Sequence, residues 1–233
     1  LVVDVKKIPG MRAADWTEDH LILGPSMSCS QFTKRQDIQA VFPGLVEAAY
    51  LIGSTQVQGR ASLGGNLCNA SPAADTIPAL IVNQAVCLIQ GPNGTRRVNV
   101  EDFLTGVGKQ CLASDELLVA IEVPKPAART SDAYLRFIPR TEMDIAVAGA
   151  AVSVTLDDDG VCSNARVAIV TCRGYGPEVK AALDRSFDQL GGLGPLVGGK
   201  TVTIKLNLTG SNFTPLFGRP VGESYITHPA TVM

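Results

Sequence analysis

The sequence predicts an α+β chain with mixed sheets, and the order of its elements carries that reading. Short apolar runs of strand length outnumber segments with helical spacing. Turn signals join neighbouring runs as hairpins, at Gly91-Pro92-Asn93-Gly94 and at Asp157-Asp158-Asp159-Gly160. The regular strand–helix alternation of a doubly wound sheet is missing from this order.

Element by element, Leu1 to Val5 alternates weakly and predicts a short strand, and His20 to Leu23 predicts another, ended by Gly24-Pro25. From Asp37, the positions Ile38, Val41, Leu45, Ala48, Ala49 and Ile52 fall at helical spacing. They predict one amphipathic helix, interrupted at Pro43 and stopped by Gly53. Pro72 stands where a further helix begins, with Ile77 to Val82 as its apolar face. Val86 to Gln90 and Arg97 to Val100 flank the first hairpin turn, and Leu117 to Val123 is a strand stopped by Pro124. Lys125 to Ser131 reads as a linker. Ala133 to Ile138 and Ile145 to Leu156 then read as strands, with the Asp-rich turn leading into Val161 to Val170. Three consecutive Asp invite a calcium reading, but an EF-hand loop needs alternating ligands and a distal Glu. A solvated turn is the better account.

Composition narrows the function. The 233 residues are 45% hydrophobic and 18% charged, with a net charge of −2. Such a chain is long enough for a sizeable core and has no basic block to attract nucleic acid. No apolar run approaches the roughly 20 residues that span a bilayer, and no signal peptide is visible at LVVDVKK. Cys29, Cys68, Cys87, Cys111, Cys162 and Cys172 are too scattered for a zinc site or an iron–sulfur cluster. They read as small thiols in a reducing compartment, which predicts a cytoplasmic setting. No nucleophile–base pair or metal-ligand cluster is visible.

The most informative stretch is Val57 to Asp75, VQGRASLGGNLCNASPAAD. Gly64 and Gly65 lack a Cβ, so the Gly-Gly-Asn segment reads as a turn able to take positive φ and approach a ligand. Successive N–H groups in such a turn form a nest for a pyrophosphate. Ser62 and Asn66 flank it with side-chain donors, and Asp75 offers an acceptor for sugar hydroxyls. A tight loop between two elements is the plain alternative.

The longer string IGSTQVQGRASLGGNLCNASPAADTIPAL, Ile52 to Leu80, closely resembles the FAD-binding subunit of molybdenum hydroxylases. The likeness runs from about Leu1 to Arg166 and includes LVVDVKKIPGM, DELLVAIEVP and YLRFIPRTEMDIAVAGAAV. It implies a partial FAD-binding fold of the vanillyl-alcohol-oxidase/PCMH type over residues 1–124, with an α+β C-terminal subdomain starting over residues 132–166. It implies FAD as cofactor, held by Ser62, Leu63, Gly64, Gly65 and Asn66 at the pyrophosphate and ribityl region, and by Asp75. Leu118 matches a position that packs against the cofactor by shape and backbone. Arg136 stands where relatives often carry Lys beside the flavin, although a solvated strand-edge charge explains it as well. Arg140 and Asp144 also match the pattern, Asp144 as a buried hydrogen-bonding group or as a cap on the turn before its strand. The resemblance further implies iron–sulfur and molybdopterin partner subunits, with electrons passing through flavin to NAD or another acceptor.

Two departures qualify the expectation. The family's earlier Gly-rich loop lies upstream of VDVKKIPG, so this chain alone is expected to retain FAD weakly or not at all. After about Arg166 the sequence resembles instead an uncharacterised family, some members of which carry ferredoxin-like modules. There Val167 to Val170, Glu178 to Leu190 and Thr201 to Leu206 predict strand, helix and strand, with Lys205, Asn207 and His228 as polar candidates. His228 reads more plainly as a loop residue. Set against the flavin subunit is a rival reading, a truncated assembly or interaction module that has lost FAD.

Overall fold

The computed structural model describes residues 3–138, 143–171, 201–204, 206–207 and 228–231. The chain opens with a 3-10 turn at Val5–Lys7 where a strand was expected, because the Asp4 side chain accepts from Lys6 N and caps it. Five strands form an antiparallel sheet in the order β1-β2-β7-β3-β4. They are β1 (Ala14–Trp16), β2 (His20–Leu23), β3 (Val86–Gly91), β4 (Gly94–Asn99) and β7 (Leu117–Pro124). Between β4 and β7 lie helix α7 (Val100–Phe103) and a small ladder of β5 (Leu104–Gly106) and β6 (Lys109–Gln110). The predicted β3–β4 hairpin forms with Gly94 at φ 105°.

Between β2 and β3 the chain is helical: α1 (Cys29–Phe32), α2 (Gln36–Val41), α3 (Pro43–Tyr50), α4 (Thr55–Gln58), α5 (Leu63–Asn69) and α6 (Thr76–Val82). The helix expected from Asp37 to Ile52 with an interruption at Pro43 is divided there into α2 and α3. Phe42, at φ −126° and ψ 62°, leaves the helical region, as a residue before proline tends to. Pro43 then opens α3 at a position where its missing N–H costs nothing.

The second sheet holds β8 (Thr130–Phe137), β9 (Ala148–Leu156) and β10 (Cys162–Thr171) as an antiparallel meander. At its edge β12 (Leu206–Asn207) pairs parallel to β10, while β11 (Thr201–Ile204) pairs with β13 (His228–Thr231). The expected helix, Arg140 and Lys205 lie outside the described residues, and His228 begins a strand instead of lying in a loop. In the Asp-rich turn, Asp157 Oδ1 accepts from Asp159 N and Val161 N, so that carboxylate serves the backbone.

Helices α3 and α6 pack on the inner face of β8, β9 and β10, and α6 is buried along its whole length. Leu21, Phe32, Leu45, Ile77, Leu80, Ile89, Ile121 and Tyr134 belong to one continuous core across both sheets. Strand β8 is inverted relative to its apparent pattern. Asp132, Tyr134 and Arg136 face the helices, while Leu135 (73% exposed) and Phe137 (65%) face away. No helix among the described residues is long and apolar enough to cross a membrane.

Candidate functional site

The Ser62–Asn66 segment is the first turn of α5, not a free-standing turn. Neither Gly64 nor Gly65 has positive φ, which corrects the expectation of a φ-positive nest. Ser62 is the N-cap, its Oγ accepting from Gly65 N at 3.1 Å. Gly64 N donates to Pro25 O and Asn66 N to Ser62 O, so these N–H groups already have partners. A methyl at Gly64 would overlap Pro25 Cβ and lie 2.6 Å from Pro25 O. Gly64 therefore serves a close approach of two backbones, a need that the motif alone did not distinguish from ligand contact. Gly65 is exposed, and a methyl there would meet only Ser62 Oγ, at 3.1 Å. Its outer face is the part of the motif open to a ligand.

Asn66 ties α5 to α6. Its Oδ1 accepts from Thr76 Oγ1 at 2.6 Å and from Thr76 N at 3.3 Å. The neighbouring Asp75 is buried, and its carboxylate accepts from Tyr134 Oη at 2.8 Å and from Arg136 Nη1 at 3.3 and 3.5 Å. Burial pushes the Asp75 carboxyl up, against the pull of the Tyr134 hydroxyl and the Arg136 charge. Burial, helped by the Asp75 charge, pushes the Tyr134 phenol up, so it stays protonated and donates. The Arg136 side chain is only 8% exposed, which removes the solvated strand-edge alternative. Its Nε is buried without a hydrogen-bond partner.

The structure thus makes two hydrogen-bonded pairings at the start of α6, Asn66 of α5 with Thr76 and Arg136 of β8 with the adjacent Asp75. Leu118 joins neither. That side chain packs in the core opposite Ile89, which leaves only its backbone for a ligand. Leu63 is likewise a core residue. Asp144 is half-buried just before β9, and Arg60 is exposed.

Two residues escaped the sequence reading. Tyr134 is fully buried, and Asp132 reaches across from β8 to the start of α3. Asp132 Oδ1 accepts from Gly44 N (2.9 Å), and Oδ2 from Leu45 N (3.0 Å) and Asn83 Nδ2 (2.7 Å). The signal available was the alternation Asp132, Tyr134, Arg136, a polar face on a strand, which is worth inspecting when its other face is apolar.

An orphaned donor on a buried cation fits an acceptor-bearing ligand, and the open Gly65 face fits close approach of one. The engaged N–H groups of α5 do not fit a preformed pyrophosphate nest. The open Gly65 face and the unpartnered Arg136 Nε are the two features here that fit FAD.

Residues 1–126 match the family described as the FAD binding domain in molybdopterin dehydrogenase. The chain belongs to this family, whose cofactor is FAD. It is 28% identical over 166 residues to the nicotinate dehydrogenase FAD-subunit of Eubacterium barkeri, covering 70% of this chain and 56% of that one. The carbon monoxide dehydrogenase medium chain of Hydrogenophaga pseudoflava is 31% identical over 168 residues, covering 72% and 58%. Among solved structures, a carbon monoxide dehydrogenase from Hydrogenophaga pseudoflava superposes with a TM-score of 0.68 at 32% identity, covering 72% of this chain and 57% of that one. The chain spans a little over half the length of these relatives.

Proposed function

We propose that this chain is the FAD-binding, electron-transfer part of a molybdenum hydroxylase-type oxidoreductase. The single observation that carries the reading is the family match over residues 1–126, the region that contains α5 and Asp75. FAD, when bound, supplies the redox chemistry, and the protein binds it, orients it and sets its electrostatic surroundings. The Gly65 face of α5, with Ser62 and Asn66 beside it, receives the cofactor by close approach, and Asp75 and Arg136 supply the polar contacts. Leu63 and Gly64 support that face from within, and Leu118 contributes through its backbone.

In this reading the fold is of the vanillyl-alcohol-oxidase/PCMH type over residues 1–124, with the C-terminal subdomain starting over residues 132–166 and a separate segment over 167–233. The assembly is cytoplasmic. Partners carrying iron–sulfur clusters and molybdopterin deliver electrons, and NAD is one acceptor class. The relatives named as FAD subunit and medium chain support such a division of labour.

The test is a titration of the purified chain with FAD, followed by flavin fluorescence and visible absorbance, with Gly65→Trp as control. Of weak retention and none, this reading requires the first: saturable binding, weak for want of free N–H groups on α5, which the indole at position 65 abolishes. A flat titration would refute cofactor binding by this chain and favour the interaction-module alternative.

A further inference from the structure

We propose that Tyr134 is a positioning residue of the FAD site: its hydroxyl fixes Asp75, and Asp75 then holds the Arg136 guanidinium with its Nε edge open for an acceptor group of the cofactor. This rests on the FAD reading above and adds a residue that the motif does not contain.

Three observations carry it. Tyr134 is buried completely, and its hydroxyl donates to Asp75 Oδ1 at 2.8 Å. The room for that hydroxyl exists because residue 149 is glycine. A methyl there would overlap Tyr134 Oη, and Gly149 is the register partner of Arg136 on β9. Tyr134 and Arg136, two apart on β8, therefore share one face and converge on one carboxylate.

The third observation is the form of the ion pair. Arginine and a carboxylate usually meet as a fork, with two parallel N–H···O bonds. Here only Nη1 reaches Asp75, at 3.3 and 3.5 Å, and Nε is left buried and unpartnered. Tyr134 holds Oδ1, so Asp75 does not turn to take Nε and Nη together. A guanidinium that is 8% exposed, with an orphan donor, is an incomplete site. An acceptor oxygen or nitrogen of FAD completes it without displacing Asp75. Burial and the Asp75 charge push the phenol up, so Tyr134 stays the donor in this pair.

The experiment is a double-mutant cycle on FAD affinity, read by flavin fluorescence in the whole chain, with urea unfolding run on the same samples. Tyr134→Phe frees Asp75 to close on Arg136 and is expected to weaken FAD binding about tenfold, the loss of one hydrogen bond to a charged group. In an Arg136→Gln background the same change is expected to have little further effect, and that coupling is what a purely structural tyrosine would not show. Asp132→Asn, which loosens the same junction away from Arg136, should lower stability and leave FAD affinity unchanged. Should Tyr134→Phe not fold, Gly149→Ala displaces the hydroxyl instead and carries the same expectation. Wild-type affinity in Tyr134→Phe, or an equal loss in both backgrounds, would overturn this proposal alone. Absence of binding by the wild-type chain would overturn the FAD reading and this proposal with it.

Discussion

Asp132 joins the helical region to the second sheet, and its removal should show how strongly. Its carboxylate accepts from Gly44 N, Leu45 N and Asn83 Nδ2 at 2.9, 3.0 and 2.7 Å. These are charge-assisted bonds, worth about 1.5–3 kcal/mol each before the cost of burying the carboxylate is counted. Burial raises the Asp132 carboxyl, so part of that gain is offset. In Asp132→Ala the charge leaves, but three donors lose their acceptor. Two of them are first-turn N–H groups of α3, where a lost cap alone costs about 1 kcal/mol. Water has little room to replace the carboxylate, because Gly44 lies so near β8 that a methyl on it would sit 2.6 Å from the Ala133 backbone. The net loss is about 3 kcal/mol, a drop of roughly 6–12 °C in Tm for a chain of this length. Urea unfolding, with the m-value checked for constancy, measures it. A loss below about 1 kcal/mol would refute the view that this carboxylate holds the two regions together. Asp132→Asn keeps one acceptor and should fall between the two.

Three further expectations rest on the geometry. Gly64→Ala should cost about 2–3 kcal/mol, because its methyl meets Pro25. Gly65→Ala, on the open face of α5, should change stability by less than about 1 kcal/mol. Urea midpoints in the reverse order would contradict the helical placement of this pair. The third concerns acid. Arg96 bonds both oxygens of Glu116 at 2.7 Å and, with Ala113 N, holds that carboxyl down to about 2 from 4.5. A depressed carboxyl contributes stability that is fully present above its ordinary value and is lost as pH falls from 4.5 towards 2. Arg96→Gln should flatten that limb of a Tm–pH profile, and parallel limbs in the two proteins would rule the coupling out.

Much of the candidate site was legible in the residues as a hypothesis, because its signals are local. Gly64-Gly65-Asn66 and Asp75 stand close in sequence, and the family's separated strings occur here in order. What those glycines do was not legible. A Gly-Gly pair reads alike whether it turns the chain, receives a ligand or admits another backbone. Only the position of Pro25, many residues earlier, shows that Gly64 does the last of these. Arg136 raised the same difficulty. Exposed and buried strand arginines are identical as text, and the Asp75 beside it is 61 residues away.

The sequence by itself determined the α+β class, the β3–β4 hairpin, the break at Pro43 and the family, since each depends on residue types acting over a few neighbours. The direction in which β8 faces was decided by the tertiary structure. By hydrophobic pattern, Ala133, Leu135 and Phe137 should face the core, yet the inner face carries Asp132, Tyr134 and Arg136. The first turn of α3 presents N–H groups that need an acceptor, and the buried Asp75 needs donors. An unmet buried polar group costs about 1–3 kcal/mol, comparable to what an exposed leucine or phenylalanine loses, and here several would go unmet at once. That comparison exists only once helix and sheet are packed, so no local pattern could record it.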